Sequence, residues 1–514
     1  MYRITSSSAN IAYRSIYSIN SIKYSKDTSP LSFSPPTSQS SPPRYYTTTV
    51  SSTTGKQHIL QSTSAVIDQQ TSIQNPKPST PPSPASSPEQ QKQNQEFEFV
   101  QRIYSTKTTS ELLFNYSILK LCSFPLISDN CDKFIKLGEK LGVSGMMFWF
   151  IKRSFFKQFC AGETIEETTK STKILNNRGI GAILDYSVED LSGSPEGFDQ
   201  VADQVIQTIK ISAENPNLSF SCIKITGLSN PTLLEKMNKI VSSLSPNQFK
   251  ESLADPLSLY LNHNNNIFDS QEKKDLESFF KRVERIFDEC LKTRVPILLD
   301  AEQTWYQEAI HHLSLAYSMR YNKEKPLLYN TFQMYLQDSM ETLNQHLEFS
   351  KQLGFKLGAK IVRGAYMVSE RERAQEIHYP DPIQPDIQHT HNNYNNAIHL
   401  LLNTIKEQGK DSLGVMIASH NVESALIGVK LIQELGIDST STSIQFGQLF
   451  GMADYLTYDL VSQNQRVFKY VPYGPVKEVI PYLVRRMHEN KGFIGSGSEK
   501  ELRFLKKEIK RRLF

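Results

Sequence analysis

Charged and polar side chains recur at the ends of short apolar segments along this 514-residue chain. The recurring groups, together with those on one later helical stretch, are Lys224, Asp300, Glu302, Gln333, Lys360, Arg363, Tyr366, His420, Asn421, Gln448, Tyr470, Arg485, Arg486 and Glu489. A single residue of this kind is usually half of a surface ion pair. Burying a charge costs on the order of several kcal/mol unless the charge is paired, so a purely structural protein has no reason to gather the whole set. The pattern therefore predicts a functional site.

The chemistry of that site begins with two adjacent arginines, Arg485 and Arg486, which point about 100° apart on a helix. A guanidinium recognises a planar carboxylate or phosphate with two parallel hydrogen bonds, whereas Lys224 supplies a point charge from a strand. Glu489 lies on the same helix as the arginines. These residue types suit the binding of an anionic group.

Eight apolar, β-branched segments alternate with longer segments of helical period, and this alternation predicts the elements that carry the site. The predicted strands are Gly179–Leu184, Ser221–Thr226, Val295–Asp300, Leu327–Phe332, Ala359–Val362, Gly414–Ala418, Ile444–Gln448 and Val467–Val471. The predicted helices are 196–213, 272–292, 303–320, 336–354, 389–409, 422–436, 452–464 and 475–490. Strands that are apolar on both faces indicate a parallel sheet, and eight units are the number that closes a (β/α)8 barrel. An open doubly wound sheet is the alternative, but no GxGxxG turn follows a strand.

The first 95 residues differ in composition from the rest of the chain. They hold eight of the 57 basic and three of the 53 acidic residues, a net charge of 8−3 = +5. The body keeps 49 basic and 50 acidic residues, a net charge of −1, so the net charge of +4 arises from the tail. The near-neutral body excludes a strongly basic nucleic-acid binder, and its apolar content excludes a disordered protein. We expect a transit peptide in residues 1–30, because this segment is basic, rich in Ser and free of acids before Asp27. A disordered linker is predicted for 31–95, a helical region for 96–175 and the barrel for 176–514.

Six motifs resemble the proline dehydrogenase family of flavin enzymes. They are DAEQT (300–304), YNTFQMYL (329–336), KIVRGAYM (360–367), ASHN (418–421), QLFGMAD (448–454) and YLVRRMHEN (482–490). The resemblance runs from about residue 97 to the end of the chain. It implies a distorted (β/α)8 barrel of the TIM type, FAD as cofactor, L-proline as substrate and membrane quinone as electron acceptor. It also implies the mitochondrial matrix, with peripheral association with the inner membrane.

The resemblance assigns residues to the substrate and to the cofactor. Lys224, Arg485 and Arg486 are expected to clamp the substrate carboxylate. Glu489 pairs with the arginines or the substrate nitrogen, Asp300 orders the arginines, and Tyr366, Leu449 and Tyr470 form the wall over the ring. The base for the substrate amine stays open between solvent and Glu489. The residues assigned to FAD are Gln333, Lys360, Val362, Arg363, Ala365, His420 and Asn421. Two positions depart from the family pattern. Relatives often have Arg at the position of Lys360 and an aromatic residue at the position of Met367.

Alternative interpretations remain at this stage. A related branch of the family oxidises 4-hydroxyproline and has a smaller residue in the ring wall; the bulk of Tyr470 favours proline. A catalytically inactive barrel is the second alternative, disfavoured by the complete set of site residues. We predict no metal site, because His389 and His391 diverge on a helix. The aromatic segment Phe148–Phe159 is expected to pack on the barrel, and the basic helix Glu499–Phe514 to close over its mouth, with membrane contact open for both.

Overall fold

The computed structural model describes residues 88–128, 130–187, 194–214, 219–262, 267–492 and 497–514. The predicted transit peptide, residues 1–30, and the predicted linker up to residue 87 lie outside these described residues.

Eight parallel strands form a closed barrel in sequential order, and the last strand pairs with the first. The strands are β1 (Ile180–Tyr186), β2 (Ser219–Ile223), β3 (Ile297–Leu299), β4 (Leu328–Gln333), β5 (Leu357–Val362), β6 (Leu413–Ala418), β7 (Ile444–Leu449) and β8 (Val467–Tyr473). Every strand is buried along nearly its whole length, as expected for a parallel sheet covered by helices. The predicted (β/α)8 fold is confirmed, and the alternative of an open sheet is wrong.

Helices before the barrel cover the region predicted to be helical. They are α1 (Pro88–Tyr104), α2 (Thr109–Cys122), α3 (Pro125–Ser128), α4 (Cys131–Lys140), α5 (Ser144–Ile151), α6 (Lys157–Phe159) and α7 (Ile165–Asn176). A π-helical turn, Lys152–Phe156, joins α5 to α6. Such a wide turn inserts an extra residue and rotates the following side chains. Accordingly Phe155, Phe156 and Phe159 are buried, whereas Trp149 and Phe150 remain exposed.

The helices of the barrel follow the strands. They are α8 (Pro195–Ser212), α9 (Pro231–Ser243), α10 (Pro246–Ser252), α11 (Pro256–Asn262), α12 (Ser270–Thr293), α13 (Thr304–Tyr321), α14 (Ser339–Leu353), α15 (Met367–Glu376), α16 (Ile387–Gln408), α17 (Val422–Glu434), α18 (Asp454–Ser462), α19 (Ile480–Gly492) and α20 (Gly497–Leu513). Local sequence fixes several of their starts. Asp269 forms a capping box with Glu272 at α12, and proline occupies the first turn of α8, α9 and α10.

Large side chains fill the barrel interior below the site. Ile183, Phe220, Leu298, Tyr329, Met416 and Phe468 form this cluster, and Tyr470 packs against it. Glycines on β5 and β6 make room for Tyr329: a Cβ at Gly414 would lie 2.2 Å from its hydroxyl, and one at Gly358 would lie 2.8 Å from its Cγ. The interior is therefore closed, and chemistry is confined to the carboxyl ends of the strands.

Two strand ends differ from the predictions in ways that affect the site. β2 ends at Ile223, and a 3-10 turn (Ile225–Leu228) follows, so Lys224 lies in the connection after the strand rather than within it. β8 extends to Tyr473, because it pairs with β1 as far as Tyr186, so Tyr470 lies inside the strand and not at its end. α19 begins at Ile480 rather than at 475, after a turn that contains Pro475.

Candidate active site

Asp300 is the centre of a buried charge cluster at the mouth of the barrel. Its Oδ1 accepts a hydrogen bond from Nζ of Lys360 at 2.6 Å, and its Oδ2 accepts one from the Tyr470 hydroxyl at 2.7 Å. Nζ of Lys224 lies 3.5 Å from the same Oδ2 and 3.4 Å from the Tyr470 hydroxyl oxygen. The side chains that reach this carboxylate, two lysines and a tyrosine, come from β5, β8 and the turn after β2, and no arginine is among these contacts. That Asp300 orders the pocket stays a prediction.

The electrostatics of this cluster favour an ionised carboxylate beside a neutral phenol. Burial alone would raise the pKa of Asp300, but Lys360 and Lys224 outweigh it and hold that pKa below its usual value. Burial raises the pKa of Tyr470 well above its ordinary value, and the carboxylates of Asp185 and Asp300 add to the effect. Tyr470 therefore keeps its proton and donates it in the hydrogen bond to Asp300.

A second carboxylate, Asp185 at the end of β1, completes the cluster. Its Oδ2 lies 3.7 Å from Nζ of Lys224 and accepts a hydrogen bond from the hydroxyl of Ser187. Ligand-type atoms of Asp185, Cys222 and Asp300 lie within 4.8 Å of one another. However, Lys224 already supplies a positive charge to both carboxylates. Burial and then Asp185 also raise the pKa of the Cys222 thiol, which keeps it protonated beside the two carboxylates.

The helix α19 presents the two arginines in different surroundings. The Arg485 guanidinium lies over the ring of Tyr366, 5.8 Å from its centre, which joins α19 to the end of β5. The buried Arg486 lies over Tyr482 at 4.6 Å and donates a hydrogen bond from Nη2 to Oε1 of Glu489. Although burial would lower the pKa of Arg486, the Glu489 carboxylate raises it, so this cation is held firmly in its charged form.

The backbone of Leu449 is held from two sides. Its N–H donates to Nε2 of His420 at 2.9 Å, and its carbonyl accepts from Nζ of Lys469 at 3.3 Å. Burial lowers the pKa of His420 to about 3, and the nearby cations, Lys469 first, add to that effect. His420 is therefore neutral with its proton on Nδ1, because Nε2 acts as the acceptor. The residue predicted to contact the cofactor thus also positions the predicted ring wall.

The charge of Lys469 is balanced by a network that the sequence did not reveal. Nζ of Lys469 lies 2.9 Å from Oδ1 of Asp454 and donates to the carbonyl of Met452 at 2.6 Å. The other oxygen of Asp454 accepts from Nζ of Lys107 at 2.7 Å. Glu501 on α20 accepts from the backbone N–H groups of Ala453 and Asp454 at 2.7 and 3.2 Å. The last helix therefore packs on the loop after β7 and on α2, with Phe504 and Leu505 buried.

Gln333 ends β4 with its amide fixed to the neighbouring strand connection. Its Nε2 donates to the backbone carbonyl of Glu302 at 2.8 Å, and the Glu302 carboxylate is held in turn by the N–H of Thr226 at 3.0 Å. The side-chain carbonyl of Gln333 and its second N–H have no partner among the described residues. The amide therefore offers both an acceptor and a donor at the strand end.

Arg363 lies just beyond β5 among neutral partners. Its nitrogens donate to Nδ1 of His391 at 3.1 Å, Oγ of Ser419 at 2.7 Å and Oγ of Ser424 at 2.9 Å, and its guanidinium lies 4.4 Å from the ring centre of Tyr394. Within the described ranges no carboxylate forms an ion pair with it. The arginine thus keeps its full positive charge beside the N-terminus of α17.

Three of the remaining predicted cofactor residues lie close to Arg363 in the chain or at the start of α17. Asn421 caps α17 by accepting the N–H of Ser424 at 2.9 Å, and the N-terminus of a helix favours negative charge. Val362 is the last residue of β5, and Ala365 is exposed two residues after Arg363. Lys360 is separated from this group, because its side chain is directed to Asp300.

Sequence reasoning missed Asp185, Lys469, Asp454 and Glu501. Asp185 is a lone acid that follows the predicted strand Gly179–Leu184, whereas β1 continues to Tyr186 and so carries Asp185 into the site. Lys469 interrupts the otherwise apolar run Val467–Val471, and a charge inside a strand that is buried on both faces is the signal that could have identified it.

The carboxyl face of this (β/α)8 barrel holds paired buried charges, a helix with two adjacent arginines and a further arginine that can bind an anion. Such a site defines an enzyme that binds a small charged substrate. Comparison with known proteins narrows this class. The family model "Proline dehydrogenase" matches residues 168–496. The chain is 56% identical over 426 residues to "Proline dehydrogenase 1, mitochondrial" of Dictyostelium discoideum, with 80% of this chain and 74% of that protein covered. It is 32% identical over 422 residues to "Hydroxyproline dehydrogenase" of Xenopus laevis, covering 80% and 89%.

Among solved structures, the chain resembles proline utilization A (PutA) from Bdellovibrio bacteriovorus inactivated by N-propargylglycine. The TM-score is 0.61 at 18% identity, and the match covers 81% of this chain and 44% of that one. This likeness supports the fold. The protein belongs to the proline dehydrogenase family and is an oxidoreductase, and the predictions of family, enzyme class and proline dehydrogenase activity are confirmed.

Proposed function

We propose that this enzyme uses FAD to oxidise L-proline to 1-pyrroline-5-carboxylate and passes the electrons to membrane quinone in mitochondria. The observation that carries the proposal is the buried cluster of Asp300, Lys224, Lys360 and Tyr470 at the strand ends of a barrel of this family. The reaction removes a hydride from ring C5 and leaves a cyclic imine, so the protein must hold a zwitterion in one orientation.

The charges around the site suit the substrate carboxylate. Lys224 and Lys360 pair with Asp185 and Asp300, and Arg486 pairs with Glu489. In the proposed arrangement Arg485 adds a fourth positive charge to the three cations of these pairs, and the substrate carboxylate supplies the matching negative charge. The arginines supply the directional hydrogen bonds, and Asp300 keeps Lys224 and Tyr470 in place. Tyr366, Leu449 and Tyr470 then form the apolar wall that fixes the ring, and such positioning accounts for much of the rate.

The residues assigned to FAD fit that cofactor. Arg363, beside the capped N-terminus of α17, provides a cation that other carboxylates do not neutralise, as a pyrophosphate requires. Gln333 offers a donor and an acceptor to a flavin edge. The small side chain of Ala365 leaves room for the flavin. The thioether of the exposed Met367 can pack against the aromatic flavin ring. When bound, the flavin accepts the hydride from the substrate carbon.

The acceptor and the location rest on the family. The described residues contain no helix that is both long enough and apolar enough to cross a bilayer, and the relative from Dictyostelium discoideum is named as mitochondrial. Peripheral association with the inner mitochondrial membrane would let the enzyme reach a quinone without a membrane span.

The absorbance spectrum of the purified full chain tests cofactor and substrate together. We expect the yellow colour of an oxidised flavin, and we expect its visible absorption band to bleach when L-proline is added without oxygen. A colourless preparation would reject the FAD proposal and favour the inactive barrel. A coloured preparation that L-proline does not bleach would reject the substrate.

4-Hydroxyproline remains a second candidate substrate, because a relative with that activity in its name is 32% identical. Tyr470 argues against it, since the hydrogen bond to Asp300 fixes the large ring and leaves no freedom to make room for a hydroxyl. Steady-state turnover of both substrates by the same preparation decides the matter. A higher kcat/KM for 4-hydroxyproline would overturn the preference for proline.

A further inference from the structure

An unusual concentration of exposed apolar side chains lies on the helices α4 and α5 and in the turn that joins them. Phe134, Leu137, Leu141, Met146, Trp149 and Phe150 are each at least half exposed. We call these six residues the apolar stripe. Scattered exposed apolar residues are normal, but a contiguous group of this size marks a binding surface.

The six side chains face the same side of a helical hairpin. Gly138 and Met147 touch across the turn, since a Cβ on Gly138 would lie 2.7 Å from Sδ of Met147, so the chain doubles back between the two helices. Successive residues of a helix are rotated by about 100° around its axis. Measured around that axis, the stripe residues of the first helix are centred about 70° from Gly138. The stripe residues of α5 are centred about 110° from Met147, in the same rotational sense. Because the helices run in opposite directions, both sets lie on one side of the pair.

Basic residues flank the stripe. Lys133, Lys136 and Lys140 are exposed on α4, and Lys152 and Arg153 are exposed directly after α5. The Arg153 guanidinium lies 4.7 Å over the ring of Trp149. Residues 131–153 contain these five basic residues and two acidic ones. An apolar stripe with Trp and Phe, bordered by Lys and Arg, is the pattern that binds an anionic lipid surface.

The hairpin lies next to the proposed active site. Sγ of Cys131, the first residue of α4, is 3.7 Å from Nε2 of His488. His488 is adjacent to Glu489 on α19, and α19 also packs against α2 and α3. Contact between this hairpin and a membrane would therefore bring the helix that carries the arginines close to that membrane.

We propose that the hairpin α4–α5 docks the enzyme on an anionic lipid bilayer, with the apolar stripe inserted among the lipids and the basic residues at the head groups. This inference deepens the proposed transfer of electrons to membrane quinone and rests on that function. The C-terminal helix is not the docking element in this proposal, because Phe504 and Leu505 in its middle are buried and its exposed apolar residues, Leu513 and Phe514, are confined to its end.

Sedimentation with vesicles tests the proposal on the full chain. The variant Leu137→Glu/Met146→Glu is compared with the matched control Ile174→Glu/Leu291→Glu, which places the same charges on exposed apolar residues outside the stripe. Vesicles contain phosphatidylcholine with or without phosphatidylglycerol. Binding is also measured at about 1 M salt, where a Debye length of about 3 Å suppresses contacts made by the basic tail. We expect the stripe variant to bind anionic vesicles at least tenfold more weakly than the parent, and the control to bind like the parent.

A spectroscopic readout locates the contact. The chain contains two tryptophans, so Trp305→Phe leaves Trp149 as the single reporter. Its emission should shift to the blue on anionic vesicles. Unchanged vesicle binding by the stripe variant, no emission shift, or a parent dimer that the stripe variant converts to a monomer would each overturn the proposal. Turnover of L-proline with a soluble dye as acceptor is measured in parallel, so that a failure of docking is distinguished from a failure of the proposed function.

Discussion

Replacing Asp300 by asparagine should destabilise the barrel mouth, because the buried Lys360 loses its counter-ion and the half-buried Lys224 loses one of its two carboxylate partners. Asparagine keeps the shape and can still accept hydrogen bonds, but the charge facing Lys360 at 2.6 Å and Lys224 at 3.5 Å disappears. At an effective dielectric constant of about 20, these attractions are on the order of 6 and 5 kcal/mol. The carboxylate no longer has to be desolvated, which offsets part of the loss. Removing one partner of a buried pair typically costs about 3–5 kcal/mol, and we expect the free energy of unfolding to fall by about 3 kcal/mol.

A double-mutant cycle measured by urea unfolding at pH 7 tests this reasoning. The variants are Asp300→Asn, Lys360→Met and the double variant, which removes both charges of the short ion pair. The double variant should lose about 2 kcal/mol less than the sum of the single losses, within the range found for residues in direct contact. Additive losses would refute the assignment of Asp300 as the counter-ion of Lys360.

The ion pair of Asp300 and Lys360 also makes the free energy of unfolding depend on pH, and the direction of the lowered pKa of Asp300 fixes the direction of that dependence. Because the pKa of Asp300 is lowered in the folded protein, its ionised form contributes stability that is complete above the unfolded pKa of about 3.9. That contribution is lost as the pH falls through the folded pKa. The difference in unfolding midpoint between the parent and Asp300→Asn should therefore be constant between about pH 5 and 8 and shrink in more acidic solution.

Three further perturbations have defined outcomes. Arg485→Met should raise the KM for L-proline by about 10- to 100-fold, the value of a charged hydrogen bond, whereas Arg320→Met on the outer helix α13 should not; an unchanged KM for Arg485→Met would reject the carboxylate clamp. Tyr470→Ser should raise the kcat/KM ratio of 4-hydroxyproline to proline, and a constant ratio would show that this ring does not select the substrate. Glu501, whose pKa burial and then Asp454 raise to about 7, stabilises the fold most below about pH 4.5 and loses that contribution as the pH rises to 7. Glu501→Gln should therefore gain stability relative to the parent between about pH 5 and 7, by at most about 1.4 kcal/mol per pH unit, and parallel pH curves in urea unfolding would contradict this.

The barrel was predictable because its strands are apolar on both faces and alternate with helices of clear period. The direction of individual side chains was harder to predict, because it depends on register between strands that are distant in sequence. Lys360 was assigned to the cofactor from its motif. In the sheet it pairs with Met416, whose side chain fills the barrel interior, so Lys360 also points inward and meets Asp300.

The two faces of β8 also show that side-chain direction is hard to predict from the sequence alone. Tyr470 pairs with Ile183, a residue of the barrel interior, whereas Lys469 pairs with Ala182, which packs in a different cluster. Alternation along the strand predicts that these two neighbours point to opposite sides. Only the closed sheet shows which side holds the site, and only the packed loop after β7 provides the carboxylate that makes a buried lysine tolerable there.

β8 consequently connects two buried charge networks. On its inner face, Tyr470 is fixed by Asp300; on its outer face, Lys469 is fixed by Asp454 and holds the carbonyl of Leu449. Asp454 in turn depends on a lysine between α1 and α2 and lies at a helix start capped by α20. The wall over the substrate ring therefore takes its position from segments near both ends of the described chain. A change that loosens α20 should alter the fit of the ring before it alters the charge cluster around Asp300, because the two networks share a strand but no side chain.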